Sequence, residues 1–281
     1  MKKIWIILLL SLGLLSACDD FLDVTADNEI VEDELFNDYK GVRMAVNGIY
    51  RTLSSTQLYG KNLTWGFASV IGHNYQATST SYLSTGLYYA AQFTWDNSNV
   101  ESITEEIWKT AYNVISSCNN VIQHVSPKDT SFFEIGAVEK NMILGEAYAI
   151  RAMMHFEIVR IFAQAPIADG GGVTAYVPYV TTFPSKINTP KPTKEVLQLI
   201  IADLEKAKDL IAPMDTLKTS KGNASFTTTV SNRLNLNDGW VTSVSDNFFQ
   251  YRAHRLNYWA VLQVLARACL YAGEKDKAFT Y

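Results

Sequence analysis

Between Ser54 and Val100 the chain carries nine aromatic residues in a stretch rich in Ser, Thr, Asn and Gly. Aromatic rings on such a stretch can stack on the C–H faces of sugars, while amide and carboxylate side chains bond the hydroxyls. Trp95-Asp96-Asn97-Ser98-Asn99 offers both kinds of group just ahead of an expected helix. Trp95 and Asn97 are therefore the first candidates for ligand contact, followed by Tyr75 and Trp65. Long loops without helices of their own are uncommon in compact domains and are often functional. The competing reading makes the same rings a satellite core packed beneath the loop. Trp240, on a second polar stretch over 213–254, could meet a ligand or only a partner.

Other chemistries find less to work with. Glycoside hydrolysis needs two carboxylates about 5–10 Å apart. Asp96, Glu105, Glu106 and Asp238 are available, but nothing in their spacing pairs them. There is no Gly-x-Ser-x-Gly elbow, no phosphate-cradling Gly-rich loop and no His-Glu-x-x-His. His73, His124 and His254 lack metal-ligand spacing, and His155 reads as a satisfied core residue beside an apolar helix face. Arg151 and Arg160 read as structural ion pairs with Glu146 or Glu157 rather than as an anion site. No catalytic residue, metal or cofactor is assigned. The net charge of −4 becomes two units more negative once Lys2 and Lys3 are removed with a leader, so nucleic acid is not an expected partner.

That leader is written in the first eighteen residues. Lys2 and Lys3 form a basic start, Ile4 to Leu15 is apolar, and Leu15-Ser16-Ala17-Cys18 places small residues before a cysteine. The pattern predicts a lipoprotein signal over 1–17, cut before Cys18, with Cys18 as the lipid attachment site. A span needs about 20 apolar residues, and Asp19 and Asp20 end this run too early. Residues 18–32, short and acidic, read as a tether, and 33–281 as the folded domain. Cys118 and Cys269 fall in helical apolar patterns, where a free cysteine behaves as a small buried hydrophobe; a bridge between them is the alternative.

The elements that must position these groups are helices. Leu35, Tyr39, Val42, Val46, Ile49 and Leu53 form one apolar stripe. A second helix is expected to open at Ser102, whose Ser-Ile-Thr-Glu matches a capping box, and to end at Ser126-Pro127. Trp108 and Tyr112 on it read as core. A third is expected from about Phe133 to Phe162, with Met142, Leu144, Ala147, Met154, Ile158 and Ile161 buried. A fourth is expected from an N-cap at Thr193, carrying Val196, Ile200, Leu204, Ala207 and Ile211, and stopped by Pro213. A fifth covers about Asn257 to Tyr271, with Gly273 as a left-handed cap, and Lys275 opens a sixth. Strand signals are few; a short pair is expected within 60–95 or 226–244. The class is mainly α. Ala266, Tyr271, Gly273, Ala278 and Tyr281 follow the pattern of a tetratricopeptide helix pair.

Five stretches in order resemble the SusD/RagB family of nutrient-binding outer-membrane lipoproteins. They are Cys18-Asp19-Asp20-Phe21-Leu22-Asp23; Trp108, Tyr112, Ile115, Asn119 and Ile122; Glu146 to Ala152 continuing to Phe156, Arg160, Phe162 and Pro166; Ile200 to Ala207; and Ala266-Arg267 through Tyr271-Ala272-Gly273. The resemblance implies tetratricopeptide-like helix pairs with long irregular loops. It implies a lipid-anchored, surface-exposed, non-catalytic protein that captures oligosaccharides or peptides. Its implied partner is a SusC-like TonB-dependent outer-membrane transporter, which receives the ligand. Family members usually run to several hundred residues, whereas this chain ends at Tyr281 inside an expected helix pair. The resemblance therefore implies a fragment or a truncation that folds poorly alone, since a repeat stack cut mid-unit leaves an uncapped apolar face. The alternatives are a lipid-anchored helical-repeat scaffold that binds only protein and, behind it, a glycoside hydrolase.

Overall fold

The computed structural model describes residues 32–76, 83–216, 247–249 and 252–281. Cys18, the tether up to residue 31, Trp240 and Asp238 lie outside them. The described residues form helices α1 (Glu32–Leu35), α2 (Tyr39–Leu53), α3 (Phe67–Ile71), α4 (Thr85–Ala91), α5 (Ser98–Val125), α6 (Ala137–Phe162), α7 (Thr193–Asp215), α8 (Tyr258–Tyr271) and α9 (Lys275–Thr280). Three short 3₁₀ turns and one two-stranded ribbon complete them. The fold is mainly α, as expected.

The apolar stripes do what their spacing predicts. Val42, Val46, Ile49 and Leu53 of α2 are buried, and Val196, Ile200, Leu204, Ala207 and Ile211 of α7 are fully so. α6 has no polar face at all: 17 of its 26 residues are buried, so it is the central helix rather than a surface one. α7 packs along one flank of it and α5 along another; α8 packs on α7, and α9 on α8. Gly145 sets the α6–α7 approach, because a Cβ there would lie 2.5 Å from Ile211 Cγ1 and 3.1 Å from the Ala207 carbonyl oxygen. Of the expected core residues on α6, only Ile161 is half-buried; it packs under a smaller cluster formed by α3, α4 and the start of α5.

Every charged side chain that α6 buries is answered. Glu139 accepts from Arg43 Nε at 2.7 Å, and Arg43 also reaches Glu134 at 2.8 Å. Glu146 pairs with Arg252, whose Nε and Nη2 also bond Asp215 at 2.9 and 2.8 Å. Arg151 makes a two-pronged pair with Asp203 at 2.7 and 2.8 Å and donates to Asn119 Oδ1 at 2.8 Å. The expected partners of Arg151 and Arg160 are Glu146 or Glu157; Arg151 instead pairs with a carboxylate 52 residues away on α7, while Glu146 pairs with Arg252. Glu157 does pair with Arg160, at 2.6 Å.

His155 is fully buried on α6. Its Nε2 accepts from the Val180 N–H at 3.0 Å, which leaves the proton on Nδ1, 2.9 Å from the Arg151 carbonyl oxygen. Burial drives its pKa down to about 3, so the ring stays neutral, stacked 4.0 Å from Tyr179. The reading of His155 as a satisfied core residue holds. Trp108 and Tyr112 are half-buried against the core, Trp108 edge-on to Phe162 and the Tyr112 hydroxyl donating to the Pro178 carbonyl at 3.0 Å. Cys118 and Cys269 are both buried and both free.

Several boundaries differ from expectation. α5 begins at Ser98, not Ser102: Asn97 is the N-cap, its Oδ1 accepting from the Asn99 N–H at 3.0 Å. The earlier start buries Val100 in the satellite cluster, which the capping box at Ser102 would have left outside the helix. α6 starts at Ala137 after Gly136 at φ 64°, while Phe133 is buried ahead of it. Thr193 is the first residue of α7, not its cap, and bonds the Thr174 carbonyl. Pro213 does not stop α7, which runs on to Asp215 because Arg252 and the Tyr258 N–H both hold that carboxylate. Among the described residues the strand pair lies at Ala175–Val177 and Lys191–Pro192, antiparallel, with Ala175 opposite Pro192, while 226–244 falls outside those residues. The described part of 60–95 holds no strand and instead forms α3 and α4, too short for their apolar period to be read.

Candidate functional site

Two short helices end in the same unusual way. α3 and α4 close with the residue after the C-cap in the left-handed region: His73 at φ 54° and Phe93 at φ 55°. The His73 N–H donates to the Val70 carbonyl at 3.0 Å, and the Asn74 N–H to Ser69 at 2.9 Å. The Phe93 N–H donates to Ala90 at 3.0 Å, and the Thr94 N–H to Tyr89 at 3.0 Å. Both are Schellman closures, whose left-handed position is ordinarily glycine. α8 makes the same closure in the ordinary way, with Gly273 at φ 82°. Left-handed backbone costs an L-residue roughly 1–2 kcal/mol. The fold sustains that cost twice within one small region, on a histidine and a phenylalanine.

The strained positions hold rings together. His73 and Phe93 have centroids 5.1 Å apart, and Phe93 and Trp95 5.6 Å, all tilted. His73 Nε2 lies 3.2 Å from the Ala91 carbonyl oxygen, tying the end of α3 to the end of α4. Beneath them, Phe67, Val70, Leu87, Ala90 and Val100 are buried in the satellite cluster. Above, Phe93 and Trp95 are each 49% exposed. The arrangement is a tilted aromatic platform with a packed underside and an open face.

Two hollows flank it. One, of about 470 Å³, is lined by His73, Asn74, Tyr75, Gln76 and Gln92, a polar set of amides around two rings. The other, of about 350 Å³, has Trp95 at its lip and Phe67, Val100, Ile161 and Phe162 inside, and is apolar. From Asn62 to Trp108 the sequence contains no Lys or Arg, so the surface carries only the acids Asp96, Glu101, Glu105 and Glu106. Among the described residues no group of three His, Cys, Asp or Glu side chains could hold a metal, and no helix is long and apolar enough to cross a membrane.

The four candidate contact residues separate. Trp95 is in the platform, and Tyr75, 42% exposed, stands in the polar hollow beside His73. Asn97 is half-buried, with its Oδ1 engaged by the Asn99 N–H and by Asn99 Nδ2 at 3.1 Å. Its first task is to cap α5. Trp65 is 58% exposed but stands apart: its indole N–H donates to the Gly60 carbonyl at 3.2 Å and it makes no ring contact among the described residues. Sequence reasoning left out Phe93 and His73, which join Trp95 to the polar hollow. No local pattern flags an aromatic residue at a glycine position; only the backbone angle does. Of the carboxylates weighed for hydrolysis, Glu105 is exposed and bridged to Lys109 at 2.6 Å. Asp96 and Glu106 are exposed as well.

The sequence pattern of the SusD-like family described as starch-binding and associating with the outer membrane matches residues 20–227. The SusD-like protein P38 of Formosa agariphila is 25% identical over 208 residues, covering 73% of this chain and 37% of that protein. P2 of the same organism is 26% identical over 216 residues, covering 74% and 38%. The chain thus spans well under half the length of these relatives. Among solved structures, a SusD superfamily protein from Bacteroides thetaiotaomicron superposes with a TM-score of 0.58 at 21% identity, over 86% of this chain and 44% of that one. A SusD-like carbohydrate binding protein from Bacteroides vulgatus gives 0.54 at 21%, over 87% and 44%. With the tetratricopeptide-like helical architecture in place and the match covering most of its length, the chain belongs to the SusD-like family.

Proposed function

We propose that this protein is a non-catalytic carbohydrate-binding lipoprotein that holds a glycan across the Phe93–Trp95 platform. The observation that carries the reading is the pair of ring-bearing left-handed residues. Strain of this kind persists where the surrounding structure over-determines it, and it clusters at binding sites. Sugar C–H faces stack on Phe93 and Trp95, while the amides of Asn74, Gln76 and Gln92 bond hydroxyls in the adjoining hollow. A ligand without negative charge suits a segment that carries four acids and no lysine or arginine from Asn62 to Trp108.

The anchor is Cys18, acylated after removal of residues 1–17, which holds the protein on the outer membrane facing outward. Two or more acyl chains give a stable attachment where one alone is marginal. The bound glycan is then handed to a TonB-dependent transporter of the SusC type. Affinity electrophoresis in gels cast with neutral polysaccharides tests the site: the parent is retarded on at least one, and Trp95→Ala and Phe93→Ala lose that retardation. Equal retardation of all three proteins would remove the platform from the reading. Membrane fractionation of Cys18→Ala tests the anchor, with release to the soluble fraction expected.

A further inference from the structure

A groove of about 1160 Å³ lies away from the platform, where the end of α6, the loop over 165–171, the first turn of α7 and the end of α8 meet. It shares no lining residue with either hollow described above. Its floor is apolar, with Phe156 and Leu197 buried and Tyr271 half-buried. Its walls carry Ile167, 97% exposed, and Leu270, 61% exposed. Four cations surround this surface: Arg160, Lys194, Arg267 and Lys275.

Those charges are under-compensated. Arg160 and Arg267 both lean over the Phe156 ring, 5.8 and 5.7 Å from its centroid. They share one carboxylate, Glu157, at 2.6 and 3.6 Å. Lys194 and Lys275 are exposed and meet no carboxylate among the described residues. Glu274, the one acid in the lining, is already held by Gln198 and by Lys277 at 2.9 Å. A chain with 28 acids against 24 bases thus gathers an excess of positive charge around one greasy trough. The trough has no exposed ring to stack a sugar on, and its single amide is spent on Glu274.

We infer that this groove docks a segment of a protein partner in which acidic residues alternate with aliphatic ones. Its carboxylates meet Arg267, Lys194 and Lys275, and its apolar side chains cover Ile167 and Leu270. The test is fluorescence anisotropy with the detergent-solubilised protein from Cys18 onward and a labelled peptide of alternating Glu and Leu. Binding that weakens with added salt is expected, and Lys194→Glu with Lys275→Glu should weaken it about tenfold or more. Leu270→Asp, at a position 61% exposed, should do the same. Circular dichroism melts of the variants separate lost binding from lost fold. Equal affinity for a peptide with Lys in place of Glu would overturn the inference. So would unchanged affinity in folded variants, or binding of a sulfated oligosaccharide at the groove without binding of the peptide.

Discussion

Around α6 the fold buries charge and satisfies it; around α3 and α4 it leaves rings in water and tolerates strained backbone. In the first region, Arg252, Glu146, Asp215, Arg151 and His155 are all at or near zero exposure, and each finds partners from a different stretch of chain. In the second, a cluster of seven buried apolar residues supports Phe93 and Trp95, which spend half their surface on solvent. Buried ion networks are costly to break, because removing one partner leaves an uncompensated charge. Exposed rings on left-handed backbone are costly to keep and nearly free to remove. The difference separates a part of the molecule whose charges are answered inside the fold from a part whose rings face solvent on strained backbone.

Substitutions sharpen that contrast. Arg252→Met should be the most damaging, because it leaves the buried Glu146 carboxylate to Arg255 alone and the buried Asp215 carboxylate to the Tyr258 N–H. A loss of about 3–5 kcal/mol in urea unfolding is expected. A loss near zero would mean the α6 region is not the closed network described here.

Acid should attack the same region next. The folded-state pKa of His155 is depressed from 6.5 to about 3, so the unfolded chain binds the proton first. Its contribution is fully present above pH 6.5 and is lost as pH falls, by up to about 1.4 kcal/mol per unit until about pH 3. His155→Gln, which removes the titration, should flatten the slope of stability against pH between 6.5 and 4. An unchanged slope would place the proton elsewhere.

Gly145→Ala is expected to cost about 1–3 kcal/mol, since the added methyl meets Ile211 and the Ala207 carbonyl where α6 packs on α7. The smallest effects belong to the platform. Phe93→Gly should be about 1 kcal/mol more stable than Phe93→Ala, reversing the usual helix order, because only glycine is at ease at φ 55°. Gly273→Ala should lose about the same amount at the matching position of α8. Both Phe93 variants should lose glycan retention while remaining folded. If Phe93→Ala matched Phe93→Gly in stability, the platform would hold no strain and the contrast would weaken.

Amino-acid order alone marked the longer helices and most of their buried residues, because a 3.6-residue period of apolar side chains is a local property. It also marked Gly273, since a glycine after an apolar run is a legible cap. It did not find the pairing of Arg151 with Asp203, the survival of α7 past Pro213, or the start of α5 at Ser98. Each of those was decided by a group far along the chain: Asp203 on α7, Arg252 beyond residue 251, and the satellite cluster that takes in Val100. The platform itself belongs with them. His73 and Phe93 occupy glycine's backbone only because two short helices meet over a common core, and that meeting is a property of packing between segments rather than of either segment's own residues.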